Sequence, residues 1–315
     1  MLTSFLKKSQ PGTLLFLMIY LTFAYAAYLI LTLSEFNISL LPDILIKLIA
    51  LLFMMQLFNF IIHKNKITAT TDFAIFLLTF FILFFPEIFD NPSVIFSSLF
   101  LMLAMRRLLS LEKDTNTVRK IVDASLWITI ASLFYFWSFL YLIPLWLAIF
   151  QIPNRTFKHL LMPLAGGFLI MNIAIGFLLL RDGSLDWFQT WIETSSFDFS
   201  AYNEIGLLVP TTIFISFGIW IGFYKAFKFS AFSLKEKSRQ YLQFYIFICS
   251  LLLVLLTPQK TGAELFFLIP SAAIIAAPYF EEEKSQSYGK ERKSEVWFKE
   301  ILLWMFVMIS LFFMI

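Results

Sequence analysis

The sequence predicts an all-α integral membrane protein, a polytopic bundle of about eleven transmembrane helices that forms one domain over residues 1–315. Two observations predict this fold class. Of the 315 residues, 60% are hydrophobic and 14% are charged, whereas soluble domains contain about 25% charged residues. Apolar segments also recur along the whole chain with no long polar stretch between them. A soluble domain is therefore excluded.

Hydropathy divides the chain into eleven apolar segments. They are Leu14–Leu33, Ile44–Ile62, Phe73–Phe85, Val94–Met105, Ile121–Phe136, Trp137–Phe150, Leu160–Leu180, Leu207–Tyr224, Tyr241–Leu256, Leu265–Tyr279 and Ile301–Ile315. The first resembles a signal peptide, but its length of about 20 residues favours an uncleaved span. Several others are short, since a helix of about thirteen residues rises only about 20 Å against a hydrocarbon core of about 30 Å. Such segments borrow flanking residues or stop part-way and line a cavity.

The run Ile121–Phe150 fits one long tilted helix or two short helices that meet near Trp137 and Ser138. Two crossings place 21 of the 24 Lys and Arg residues on one side of the membrane. A single crossing would reverse every later loop and remove that asymmetry. Because loops rich in Lys and Arg stay in the cytoplasm, the sequence predicts two crossings, a cytoplasmic N-terminus and a periplasmic C-terminus.

Two connecting segments are distinguished by their composition. Residues 281–299 are densely charged and are predicted to form a flexible cytoplasmic linker before the last span. The predicted outer loop Arg181–Gly206 interleaves acidic residues with aromatic ones. Such a loop lies at the headgroup level as an amphipathic segment or caps a cavity, and both alternatives stay open.

Several function classes lack the residues that they need. The net charge of +3 provides no basic surface for nucleic acid. The single Cys249 excludes an intrachain disulfide and a CxxC motif. The two histidines, His63 and His159, are too few for a membrane oxygenase with histidine-bound iron, and the sequence predicts no metal site. Neither a GxSxG elbow nor a P-loop is present.

Acidic residues on the predicted outer face are the candidate catalytic groups. Glu35 follows the first span, and Glu87 and Asp90 lie in a turn bounded by Pro86 and Pro92. A carboxylate beside a low-dielectric surface can act as a general base on a hydroxyl group or bind a divalent cation. The structural alternative is a tight turn in which Asp and Asn are favoured for their backbone preferences.

Three cations on the same face are candidate substrate-binding groups. Lys47, Arg181 and Lys260 could hold the phosphate of a lipid-linked substrate. Lys47 also follows Asp43 by four residues, so a local ion pair on one helical face is the alternative.

Structural roles are predicted for four other residues. Asp72 and Asp123 lie near predicted helix N-termini, where a carboxylate caps free amide groups. Gly218 and Gly222 form a GxxxG pattern, which indicates close packing between helices.

Two stretches resemble a known family. They are FPEIFDNPSVIFSSLFLMLAMRRLLSL at 85–111 and SLFYFWSFLYLIPLWLAIFQIPNRTFKHLLMPLAGG at 132–167. Their order and composition are similar to a family of uncharacterised polytopic inner-membrane proteins of Bacteroidota. More distantly, the layout resembles the C-type membrane glycosyltransferases, which use polyprenyl-phosphate sugars.

The resemblance to the glycosyltransferases implies roles for the candidate residues. Glu35 or Asp43 would act on the acceptor, and Glu87 or Asp90 would help to hold a metal or the donor. Arg181 or Lys260 would lie near the donor phosphate. The chain departs from the family in its short first outer loop, 34–42, which has no Asp-Glu doublet.

The leading functional hypothesis is an inner-membrane protein of the bacterial envelope that is a lipid-linked-sugar glycosyltransferase or a degenerate relative of one, with membrane lipid and polyprenyl phosphate as its partners. The alternatives are a non-enzymatic scaffold of an envelope complex and a transporter of a small molecule or lipid. An enzyme predicts that Glu35, Glu87 and Asp90 converge on one outer-facing cavity with a cation nearby. A scaffold predicts no cavity and exposed small-residue or aromatic helix faces, and a transporter predicts a polar path near the midplane.

Overall fold

A computed structural model describes residues 2–33, 37–69, 71–111, 116–228, 234–281 and 290–314. Each of the eleven predicted apolar segments corresponds to helix, and no strand occurs in these ranges, so the all-α class is confirmed. The α-helices are α1 (Leu2–Leu6), α2 (Pro11–Thr32), α3 (Leu41–Asn65), α4 (Phe73–Leu83), α5 (Pro92–Leu108), α6 (Thr117–Phe134), α7 (Leu142–Phe150), α8 (Phe157–Asp182), α9 (Trp187–Trp191), α10 (Ile205–Lys228), α11 (Leu234–Leu256), α12 (Ile269–Glu281) and α13 (Lys290–Met314).

Six helical segments in the described ranges are long and apolar enough to cross a membrane. They are Pro11–Thr32, Ile38–Asn65, Phe157–Asp182, Ile205–Phe227, Lys237–Leu256 and Ser294–Phe313. Phe73–Leu83 and Phe136–Phe150 are shorter apolar segments. The chain is therefore a multi-pass membrane protein, while the count of eleven crossings and the side of each terminus stay predictions.

The chain forms two compact units. Unit 1 comprises Met1–Asp90, Ser200–Phe227 and Thr261–Ile315, and unit 2 comprises Asn91–Phe199 and Lys228–Lys260. The predicted linker 281–299 is helical in part, because Glu281 ends α12 and residues 290–299 belong to α13. Residues 282–289 of that linker lie outside the described ranges.

Two short antiparallel helices, α4 and α12, form the centre of unit 1. All eleven residues of α4 are buried, which explains why its sequence has no polar face. Phe73 at its start stacks on Phe280 near the end of α12, with ring centroids 5.8 Å apart. Phe214 of α10 and Phe306 of α13 pack edge-on against Phe81 of α4, with ring centroids 5.0 and 5.3 Å from the centroid of Phe81. Long helices thus enclose a short interior pair.

At one end of this pair, the Asp72 carboxylate binds the backbone of a neighbouring segment. Asp72 accepts a hydrogen bond from the Gln10 N–H, at 3.0 Å, so it caps α2. The Asp72 side chain does not cap α4, which corrects the predicted role of Asp72. The predicted capping role of Asp123 is corrected too, because in unit 2 this residue pairs with Arg107 at 2.8 Å instead of capping a helix. The bond between Asp72 and Gln10 aligns the starts of α4 and α2.

In unit 2, the run Ile121–Phe150 is two helices. The break lies at Tyr135, whose backbone is extended (φ −148°, ψ 105°), two residues before the predicted point at Trp137. A 3₁₀ helix, Phe136–Tyr141, then leads into α7. Because α6 ends there, its last carbonyls lack helical partners, and the Trp191 indole N–H donates to the Ser132 carbonyl at 2.6 Å. This bond attaches α9 to the break.

Close packing between helices in unit 2 depends on Gly166 of α8. A Cβ atom added there would lie 2.0 Å from Ser125 Oγ and 3.0 Å from the Val122 carbonyl of α6. At Gly222 of the predicted GxxxG, an added Cβ would meet nothing within 4 Å in the described part of the chain. The prediction of close packing was therefore wrong at Gly222.

We expect Gly166→Ala to lower the free energy of unfolding by about 1 kcal/mol, because the overpacking against α6 exceeds the gain in helix propensity. Titration with a denaturing detergent in mixed micelles measures this value. Gly176→Ala, in the same helix with nothing within 4 Å, is the matched control and is expected to be neutral or slightly stabilising. Equal effects at the two glycines would contradict the assignment of the contact.

Candidate functional site

The structure places two of the four candidate catalytic residues in one short segment of unit 1. Glu87 and Asp90 lie in the 3₁₀ helix Pro86–Asp90, which follows α4. Asp43 lies in the first turn of α3 and forms an ion pair with Lys47 at 2.6 Å. Glu35 lies outside the described residues.

A third carboxylate, Glu264, joins Glu87 and Asp90. It lies in the 3₁₀ helix Ala263–Phe267, which precedes α12, and this segment contacts the 3₁₀ helix that holds Glu87. Because α4 and α12 are antiparallel, the segment after the first and the segment before the second meet at the same end of the pair. Glu264 was not among the candidate residues predicted from the sequence. The sequence did contain a signal for Glu264: it lies beside a short apolar segment, as Glu87 does.

Glu264 is held on both of its carboxylate oxygens. The Tyr202 hydroxyl donates to Oε1 at 2.6 Å, and the Thr261 backbone N–H donates to Oε2 at 3.1 Å. The side chain of Glu264 is buried, with 1% of its surface exposed. A buried carboxylate is tolerated when hydrogen bonds replace its hydration, so these donors fix both the position and the orientation of Glu264.

Gly262 brings the two 3₁₀ segments close together. Its φ of +90° lies in the left-handed region, which glycine adopts without strain. A Cβ atom at this position would lie 2.6 Å from Leu207 Cδ2 and 3.5 Å from Glu87 Oε2. The Glu87 carboxylate therefore packs directly over the turn that begins the segment of Glu264.

Asp90 is held by α2. The Tyr28 hydroxyl donates to Asp90 Oδ2 at 2.5 Å, and the ring of Phe89 packs edge-on against Tyr25 at 5.0 Å. Tyr28 lies about one helical turn before the end of α2 at Thr32. This contact places the carboxylates about one turn inside the end of a candidate span.

The electrostatics of the cluster favour the neutral form of Glu87. Burial raises the pKa of the Glu87 carboxyl to about 7, partly offset by a hydrogen bond from its own backbone N–H; the charges of Glu264 and Asp90 raise it further. A carboxyl group with a pKa near neutral pH can both accept and release a proton. The cluster is thus suited to proton transfer.

The three candidate phosphate-binding cations all have local partners. Lys47 pairs with Asp43 as described above, and Arg181 forms a two-pronged bond with Asp182 at 2.8 and 2.7 Å. Lys260 Nζ donates to the carbonyls of Val254 and Leu255 at the end of α11, at 2.7 and 2.8 Å. Lys47 belongs to unit 1, whereas Arg181 and Lys260 belong to unit 2.

The described residues contain no group of three or more His, Cys, Asp or Glu side chains arranged to hold a metal ion. Both oxygens of Glu264 already accept hydrogen bonds from the protein. A divalent cation therefore finds no complete set of protein ligands among the described residues.

Unit 2 contains an open apolar groove of about 570 Å³ between α6, α7 and α8. Its lining includes Phe139, Pro163 and Phe168. The ring of Phe139 also packs against Trp191 of the predicted outer loop, at 5.6 Å. The aromatic residues of α9 are thus anchored on the protein beside this groove.

A family model described as a family of unknown function, DUF6427, matches residues 1–315. No curated protein matches, and no solved structure matches.

Proposed function

We propose a function for this chain, which belongs to the DUF6427 family of unknown function: it is a membrane glycosyltransferase that uses a polyprenyl-phosphate sugar, with Glu87 as its general base. The observation that carries the proposal is the Glu87 carboxyl, packed against Gly262 in a cluster with Glu264 and Asp90. The sequence resemblance to the C-type enzymes adds the class of donor.

In the proposed reaction, the acceptor hydroxyl attacks the anomeric carbon of the sugar. The bond from this carbon to the phosphate oxygen breaks, and polyprenyl phosphate leaves with the electron pair. The Glu87 carboxylate takes the hydroxyl proton as the new glycosidic bond forms. A base with a pKa near the working pH is present in its charged form and still binds the proton well, which is the condition for efficient general-base catalysis.

The depth of the cluster supports a lipid-linked substrate. The starts of α2 and α4 are aligned by the bond between Asp72 and Gln10, and Tyr28 binds Asp90 near the other end of α2. A helix rises about 1.5 Å per residue, so these two contacts are separated by nearly the thickness of the hydrocarbon core. The proposed base then lies where the headgroup of a membrane-bound donor meets the protein.

The test is release of polyprenyl phosphate by the purified protein in liposomes that contain a radiolabelled polyprenyl-phosphate sugar and lipid acceptors. We expect Glu87→Gln to lower the rate at least about 100-fold, since general-base catalysis contributes about two to four orders of magnitude. Glu193→Gln, which changes a half-buried acid of unit 2, is the matched control and should retain the wild-type rate.

Two results would contradict this proposal: no turnover by the wild-type protein with any such donor, or a full rate in a correctly folded Glu87→Gln variant. Absence of turnover together with absence of transport would favour the non-enzymatic scaffold.

A proton-coupled transporter is the second candidate, because one observation favours it. At one end of their antiparallel pair, the short helix α4 ends and α12 begins, and each adjoins a 3₁₀ segment that carries a carboxylate there. Interrupted helices of this kind form binding sites in secondary transporters. Proton flux into liposomes without a sugar donor, lost in Glu87→Gln, would support the transporter over the transferase.

A further inference from the structure

A buried carboxylate that accepts a hydrogen bond on each oxygen lies in the segment that contacts the segment of the proposed base. Glu264 is almost fully buried, and its hydrogen-bond donors, Tyr202 and the Thr261 backbone N–H, are both uncharged. Removing a carboxylate from water is unfavourable unless it is compensated. A buried carboxylate of this kind lowers the stability of the folded state, whereas a nonpolar side chain could fill the same space without that cost.

The donors come from two directions. Thr261 lies directly before Gly262, in the turn that begins the segment of Glu264. Tyr202 comes from the 3₁₀ helix Ser200–Asn203, which precedes α10. Together they hold Glu264 against the segment that carries Glu87. The absence of a side chain at Gly262 lets Glu87 Oε2 approach this turn.

We propose that Glu264 is a positioning residue for Glu87: held by Tyr202 and Thr261, it keeps its carboxylate beside the proposed base and so strengthens the binding of the acceptor's proton by that base. This inference rests on the proposed function for the role of Glu87 in the reaction. The arrangement of the two carboxylates itself can be tested without any substrate.

Titratable groups on its own segment and on neighbouring segments act on Glu87. They include Asp90 on its own segment, Glu264 on the segment before α12 and Tyr28 on α2, while Tyr202, before α10, binds Glu264. Two like charges favour the neutral form of a neighbouring carboxyl group. Of the two acids, Glu264 is the buried one, so its charge is the less screened by water.

The experiment follows the protonation of Glu87 by infrared spectroscopy of the full-length protein in lipid. The carboxylic acid C=O band that is absent from Glu87→Gln belongs to Glu87, and its intensity is measured against pH. In the wild-type protein the band should disappear with a midpoint near neutral pH. In Glu264→Gln, which keeps the side-chain volume and removes the charge, the midpoint should fall by about one pH unit.

A second variant and a control keep the result interpretable. Tyr202→Phe frees one oxygen of Glu264, which can then turn away from Glu87, so we expect a smaller shift in the same direction; this variant decides the question if Glu264→Gln does not fold. Glu281→Gln changes an acid at the opposite end of α12 that also accepts a backbone hydrogen bond, and it should leave the midpoint unchanged.

The inference is overturned if the midpoint is the same in the wild-type protein and in the folded Glu264 or Tyr202 variant, or if no such band is present at any pH. Its failure is distinguishable from failure of the proposed function. A shifted midpoint without sugar transfer keeps the positioning role and removes the transferase. Sugar transfer that depends on Glu87, with an unshifted midpoint, keeps the transferase and removes the positioning role.

Discussion

Replacing Gly262 with alanine is expected to lower the free energy of unfolding by about 3 kcal/mol, from two costs at one position. The φ of +90° is strained for any residue with a Cβ atom. In addition, that atom would lie 2.6 Å from Leu207 Cδ2, far inside normal contact, so the side chain must shift. Denaturing-detergent titration of the purified variant measures the loss.

Gly183→Ala separates these two costs. Gly183 ends α8 with a φ of +66°, and an added Cβ atom there would meet nothing within 4 Å. Alanine at this position should cost about 1 to 2 kcal/mol from the backbone alone. If the two variants lose the same stability, the contact with Leu207 adds no cost at position 262. The Gly262 variant should also weaken transfer, because the segment of Glu264 must move away from Glu87.

The second large effect is a fall in stability as the pH rises. The Glu87 carboxyl has a pKa of about 7 in the folded protein and an ordinary value of 4.5. The folded state therefore binds this proton more tightly than the unfolded state. Its contribution is fully present below pH 4.5, is lost between pH 4.5 and about 7, and stays lost above that. The loss amounts to at most about 3 kcal/mol.

Glu87→Gln should remove this part of the pH dependence, because an amide has no charge to bury. We expect the variant to be more stable than the wild-type protein at pH 8 and similar to it at pH 4.5, as measured by thermal unfolding in detergent across this range. Other groups titrate in both proteins, so the difference between them isolates Glu87. A wild-type and a variant curve that run parallel from pH 4.5 to 8 would contradict a buried, neutral Glu87.

Part of the candidate site was predictable from the sequence. Glu87 and Asp90 were selected because acids in a turn between two prolines, next to an apolar segment, lie near a membrane surface. Glu264 was not selected, because its partner is distant in the chain and no spacing rule joins residues 87 and 264. The ion pair between Asp43 and Lys47 was predicted as an alternative, since a separation of four residues places both on one helical face.

The predicted roles of small and capping residues show the limit of local patterns. A carboxylate near a helix start can cap its own helix or a neighbour, and only packing brings Asp72 to Gln10 of α2. Likewise, glycine permits close approach but does not select a partner. Gly166 meets Ser125 of α6, whereas at Gly222 an added Cβ would meet nothing within 4 Å in the described ranges.

The sequence by itself determined that this chain is an α-helical membrane protein, and where its apolar helices lie. Apolar length and composition are local properties, and in a bilayer the backbone must satisfy its hydrogen bonds within each segment. The tertiary structure alone decided which carboxylates meet. The antiparallel pairing of α4 and α12 brings Glu87 and Glu264 to the same end, because contacts between distant segments depend on packing that no single segment encodes.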